Sequence, residues 1–180
     1  MKYLFILCLL AFGLRAAGQV SPLPIDSLTH KVTYHGVVQV PGATQAELYS
    51  RAREWFAVTF GSAKAVLEMD DQAAGKLIGR ENGGFSQRLL GQESVVTVWR
   101  TVNIQVKDGR FKYVFTNFAT GDSNASARPV ELAMVPASYD KKGALRPYMA
   151  DMFAGIRTTA QSQVASLVSA MVKPTGKSNW

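Results

Sequence analysis

Residues 101–116 constrain the fold most, because two alternating segments there are joined by Asp-Gly. Val102, Ile104 and Val106 alternate with Thr101, Asn103 and Gln105; beyond Asp108-Gly109, Phe111, Tyr113 and Phe115 alternate with Lys112, Val114 and Thr116. Side chains along a strand point to opposite faces in turn, so each segment has one apolar side. Asp-Gly accepts the positive φ values of a two-residue type I′ turn. Such a turn pairs Lys107 with Arg110. Counting outward sets Val106 against Phe111, Ile104 against Tyr113 and Val102 against Phe115. The other face sets Gln105 against Lys112 and Thr101 against Thr116. Turn chemistry and face pattern select one register independently. A sheet with a single apolar face must be covered, and the rest of the chain has to supply the cover.

Two helices are predicted to do so. Thr44 and Glu47 have capping-box spacing, and Leu48, Ala52, Trp55, Phe56 and Phe60 recur at helical intervals up to Gly61. A second helix is expected from Pro147 to Val172, with Met149, Phe153, Ile156, Ala160, Val164, Leu167 and Met171 on one stripe. Further strands are read at 31–40, where Val32, Tyr34, Val38 and Val40 oppose Lys31, Thr33, His35 and Gln39, and at 64–70 and 76–81 around a turn at 71–75. Residues 82–93 read as a glycine-bearing connector. Segment 119–146 reads as a long loop with a short strand near 129–136. Residues 19–29, with two prolines and no period, read as an extended arm, and 173–180 as a polar tail. The order β-α-β-β-β-β-α specifies a two-layer α+β sandwich, an antiparallel sheet with both helices on one face, as a single domain over 30–172.

The first 18 residues read differently. Lys2 precedes a 12-residue apolar run, Tyr3 to Leu14, and small residues Ala16, Ala17 and Gly18 stand before Gln19. This is the layout of a signal peptide cleaved before Gln19, and the run is shorter than the roughly 20 residues that span a bilayer. Export to a bacterial periplasm or cell envelope is expected. Cleavage removes Cys8, the only cysteine, so disulfides, thiolate nucleophiles and cysteine metal sites are excluded from the mature chain. It also removes Lys2 and Arg15, leaving 18 basic residues against 13 acidic, a formal charge of +5.

The search for chemistry returns little. The two histidines, His30 and His35, have opposite strand parity and do not converge on a metal. No Gly-x-Ser-x-Gly elbow is present. Glu68, Asp70 and Asp71 are the carboxylates from which a hydrolase would be built. The remaining feature is aromatic. Extending the hairpin register sets Trp99 against Phe118 on the polar face, near Asn103, Lys112 and His35. Those five residues form either a ligand-stacking platform or a patch roofed by segment 119–146.

Tyr34-His35-Gly36-Val37-Val38-Gln39-Val40-Pro41-Gly42, Glu47 to Phe56, Gly75-Lys76-Leu77-Ile78-Gly79 and Val106-Lys107-Asp108-Gly109-Arg110 together resemble an uncharacterised family of secreted or envelope proteins of Bacteroidota, a domain of unknown function with a TBP-like fold. The resemblance covers about 30–118 and implies a curved sheet with helices on one face. It implies no catalytic residue and no cofactor. A TBP-like fold does not carry DNA binding with it, and export would separate the chain from genomic DNA. The expectation is a non-enzymatic module binding an envelope protein, peptide or glycan through the polar sheet face and loop 119–146, with no nucleic-acid partner and no metal. The alternatives are a carboxylate-dependent hydrolase and a weak basic binder of anionic lipid or polysaccharide.

Overall fold

A computed structural model describes residues 23–89 and 91–173. The expected signal peptide, its expected cleavage point before Gln19 and residues 174–180 of the tail lie outside them. The elements are β1 (Tyr34–Gln39), α1 (Gln45–Phe60), the single turn α2 (Ala63–Val66), β2 (Leu67–Asp71), β3 (Lys76–Leu89), β4 (Gln92–Lys107), β5 (Arg110–Thr120), β6 (Arg128–Pro129) and α3 (Pro147–Val172). The sheet is antiparallel in the order β1-β5-β4-β3-β2, and β6 adds to the end of β5. This is the expected α+β architecture.

The hairpin adopts the register read from its sequence, from Lys107 opposite Arg110 to Thr101 opposite Thr116. Its turn differs from expectation. Gly109 has φ 73 while Asp108 does not enter the left-handed region, so the turn is not type I′. The Asp108 carboxylate instead accepts a hydrogen bond from the Gln45 amide at the start of α1, at 2.7 Å, and Gly109 exchanges backbone bonds with Val40 and Ala43. Anchorage to a helix N-terminus, where an anion is favoured, holds the turn.

Helix α1 begins with the capping box: Glu47 N–H donates to Thr44 Oγ1 and Thr44 N–H to Glu47 Oε2. It buries Leu48, Tyr49, Ala52, Trp55 and Phe56. Helix α3 lies on the same side of the sheet and buries Met149, Met152, Phe153, Ile156, Ala160, Leu167 and Met171. Trp55 Nε1 donates to Ser166 Oγ across the helix pair, and Arg51 to the Met171 carbonyl. The core lies between these helices and Val98, Val102, Ile104, Val106, Phe111, Phe115 and Phe118. Each fully buried aromatic contributes about 2–3 kcal/mol of transfer free energy.

Four local expectations are corrected. Within the supposed connector 82–93, residues 82–89 and 92–93 are sheet, because β3 runs unbroken to Leu89 and pairs with β4 along its length. Its glycines are there for fit: a Cβ on Gly83 would stand 2.7 Å from the Arg100 guanidinium. Residues 63–66 form a helical turn capped by Ser62, so the strand read at 64–70 begins at Leu67. The strand expected at 129–136 is only the pair 128–129, followed by 3₁₀ turns over Val130–Ala133 and Pro136–Ser138; Pro129 and Pro136 have no N–H for a ladder. The described part of the arm is folded, not extended. Asp26 accepts from the Leu28 and Thr29 amides, Ile25 bridges Val32, and Leu23 is buried.

Candidate functional site

Because α1 and α3 share one side, the other side of the sheet is uncovered over most of its width, and the strand registers place its side chains in rows. One row reads Asp71, Lys76, Gln105, Lys112, Val37 from β2 to β1. The next reads Met69, Ile78, Asn103, Val114, His35, and a third Arg80, Thr101, Thr116. At the hairpin end Lys107, Arg110 and Gln39 complete the face.

His35 and Lys112 come together as diagonal neighbours and line a polar groove of about 420 Å³ with Asp26, Lys31, Thr116 and Asn117. Hydrogen bonds from Thr29, backbone first and hydroxyl second, hold the Asp26 carboxyl below its ordinary range. Asn103 lies in the His35 row with Val114 between them, and its Oδ1 is buried and accepts no protein hydrogen bond.

Trp99 stands on the same face, but Phe118 does not. The register shifts between Trp99 and Thr101, so Trp99 faces Ala119, and Asn117 takes φ 54 at the irregularity. Two residues of β5, Asn117 and Phe118, thus oppose the single Arg100, and the extra residue turns Phe118 to the helix side. There it is 0% exposed and meets Tyr34 edge to face at 5.7 Å. The paired aromatics expected from the extended register are therefore on opposite faces. A roof covers the Trp99 end: its Nε1 donates to the Gly121 carbonyl, Arg80 donates to Asn124, and Ala119, although on the open face, is 5% exposed.

The carboxylates proposed for hydrolysis are not assembled either. Asp70 pairs across from Leu77 and faces the helices, whereas its neighbour Asp71 faces Lys76 on the open side. Consecutive strand residues alternate, so the two acids serve different surfaces. Asp70 accepts from the Tyr49 hydroxyl and is ion-paired to Arg53 at 2.9 Å; these contacts, Tyr49 first, hold its pKa down. Burial, and then Asp70 itself, push the Tyr49 phenol up to about 12. Asp71 accepts from the Ala74 amide within the turn, and Glu68 is exposed. Among the described residues, no three His, Cys, Asp or Glu side chains converge as a metal site would require.

Sequence reasoning missed a buried ion pair. Arg100 and Glu81 lie directly opposite each other on β4 and β3, facing the helices, each about 1% exposed and joined through Arg100 Nε and Nη2. Desolvation raises the Glu81 pKa, while Arg100 and then Gln163 work against it. The signal was available, since Arg100 occupies the apolar parity of Val98, Val102 and Ile104. An apolar groove of about 680 Å³ also runs between β1 and α3, lined by Tyr34, Tyr113, Val164 and Val168. The Tyr34 hydroxyl there is buried without a partner, and burial raises its pKa.

With this geometry in hand, the likeness to known proteins is specific at the level of fold. Residues 34–120 match the family model described as a domain of unknown function (DUF4468) with TBP-like fold. A DUF4468 family protein from Bacteroides ovatus superposes with a TM-score of 0.68 at 16% identity, covering 88% of this chain and 95% of the other. A TBP-like protein from Parabacteroides distasonis gives 0.62 at 12% identity, covering 83% and 97%. No curated protein matches the sequence. The fold is TBP-like α+β, and these identities carry the fold alone.

Proposed function

We propose that the chain is an exported, non-catalytic binding module of the bacterial periplasm or cell envelope, engaging an envelope protein, peptide or glycan through the open face of its sheet. The supporting observation is the asymmetry of the sandwich. Both helices pack on one face, and the opposite face presents Lys112, His35, Asn103, Gln105 and the threonines Thr101 and Thr116 to solvent or at half burial. Export rests on the leader sequence 1–18. The lack of an assembled acid–base pair around Asp70 and Asp71 argues against the hydrolase alternative.

The test is positional. A photocrosslinking residue is placed at Asn103 on the open face or at Glu54 on the helix layer, and the exported chain is irradiated in envelope extract. Adducts from position 103 and not 54 support the reading. Adducts from both alike, or from neither, overturn it. N-terminal sequencing of the exported chain checks the leader, with Gln19 expected as the first residue.

A further inference from the structure

We infer that the hairpin end of the open face is a docking surface for an anionic polysaccharide, gripped by Lys76, Lys107, Arg110 and Lys112. This deepens the reading of the open face as the binding surface and rests on it. The register assembles the four cations. Lys107 is opposite Arg110, Lys112 is two residues further along β5, and Lys76 lies across Gln105 from Lys112. With strands about 4.8 Å apart and alternate residues about 6.8 Å apart, the four Cα atoms lie within about 12 Å of one another. Lys107, Arg110 and Lys112, with Gln105 and Val37, also line a depression of about 280 Å³.

None of the four makes an ion pair among the described residues, in contrast to Arg53 with Asp70 and Arg100 with Glu81. Two acids stand beside the patch, Asp71 across from Lys76 and Asp108 next to Lys107, and each accepts from a backbone amide, of Ala74 and of Gln45. With four cations against two carboxylates and no ion pair between them, the patch stays net positive and is complementary to a polyanion.

The class of polyanion follows from what a sheet face offers. Peptides join sheets at strand edges through free backbone groups, whereas on a face those groups are spent in the ladder and recognition falls to side chains. Beside the cations stands Gln105, exposed and neutral, with Asn103 half-buried next along β4, amide side chains that match hydroxyl groups. A membrane surface would call for contiguous apolar side chains, but the exposed Val37 and Met69 lie on the opposite edge strands β1 and β2.

The experiment titrates the exported chain by calorimetry with alginate, a polyuronate, beside neutral dextran, poly-glutamate and phosphatidylglycerol vesicles. Alginate is expected to bind, dextran not, with affinity falling about ten-fold as added salt screens the patch. The triple variant Lys107→Glu/Arg110→Glu/Lys112→Glu should lose alginate binding while melting as the wild type does; if it melts early, Lys107→Ala/Lys112→Ala replaces it with a smaller loss expected. Stronger binding to poly-glutamate assigns the surface to acidic peptide, and stronger binding to vesicles assigns it to membrane; either overturns the inference. So does alginate binding that survives the charge reversal. No alginate binding together with adducts from position 103 removes the ligand class and leaves the open face as the binding surface; loss of both removes both.

Discussion

Replacing Arg100 by Met tests the reasoning about the core most directly. Arg100 and Glu81 are each about 1% exposed, and the helix layer excludes water from both. Met has a similar length, so packing is largely kept while the cation disappears. The Glu81 carboxylate is then left buried without its partner, a change that costs about 3–5 kcal/mol. That is a large part of the roughly 5–15 kcal/mol by which a domain of this kind is stable. In urea, followed by the fluorescence of Trp55 in its cluster with Phe56 and Phe60, the midpoint should fall by about 2 M for a slope of about 2 kcal/mol per M.

The loss must also depend on pH. Burial raises the Glu81 pKa above its ordinary 4.5, so the folded state binds more protons than the unfolded chain in the window above that value. The stability contributed by Glu81 is therefore whole below the unfolded pKa and is lost as pH rises through the folded one. Arg100 opposes the rise, so removing it widens the window upward, and the variant should lose more at pH 8 than at pH 5. Glu81→Leu combined with Arg100→Met removes both charges and should recover most of the loss or exceed the wild type by about 1–4 kcal/mol. Gly83→Ala supplies a packing check: its methyl would meet the guanidinium at 2.7 Å in the wild type but has no such obstacle beside Met. A single Arg100→Met loss under about 1 kcal/mol at pH 8, or a double variant as weak as the single, refutes the reasoning.

Two further outcomes follow from the structure. Asn117→Gly and Asn117→Val both lose the side-chain bonds to Lys31 and Thr101, but Asn117→Val should cost about 2 kcal/mol more by thermal melting, because φ 54 suits glycine and excludes a β-branched side chain. Spectrophotometric titration should show one tyrosine ionising near 12 that disappears in Tyr49→Phe. The Tyr49 contribution is whole below pH 10 and is lost as pH rises through about 12; the Asp70 contribution is present above pH 3.8 and is lost on acidification through its lowered folded value.

How far the sequence could be read tracks the physics of each element. Hairpin register was legible from Val106–Phe111 to Thr101–Thr116 because strict alternation and a two-residue turn agree. It failed one step later, at Asn117, because a bulge leaves no compositional trace beyond a residue that tolerates positive φ. Both long helices were legible from their stripes and from Thr44, Glu47 and Gly61. The far half of β3 was not: Gly83 and Gly84 resemble connector residues, and only the guanidinium above position 83 explains a glycine within a strand. For the site, parity placed Lys112, His35 and Asn103 correctly on the face opposite the helices. Lys76, Lys107 and Arg110, which the proposed docking surface adds, are spread over three strands and have no local spacing to betray their proximity.

The bulge at Asn117 also decides which kind of recognition the open face can support. Up to Thr116, β5 gives its even residues to that face, and the surface there is cationic and uncovered. Beyond the extra residue Phe118 turns inward, β6 joins the strand, and residues 121–124 come back over Trp99 and Arg80. An aromatic platform would need both Trp99 and Phe118 at the surface, and the inserted residue places one in the core while the roof claims the indole N–H of the other. What stays available is the hairpin end, whose side chains attract by charge and hydrogen bonding. Binding there should weaken with salt, whereas stacking on an aromatic pair would be nearly indifferent to it. The same single residue that breaks the register therefore removes the platform, one of the two readings of that patch, and leaves charge and hydrogen bonding as the means of the proposed docking surface.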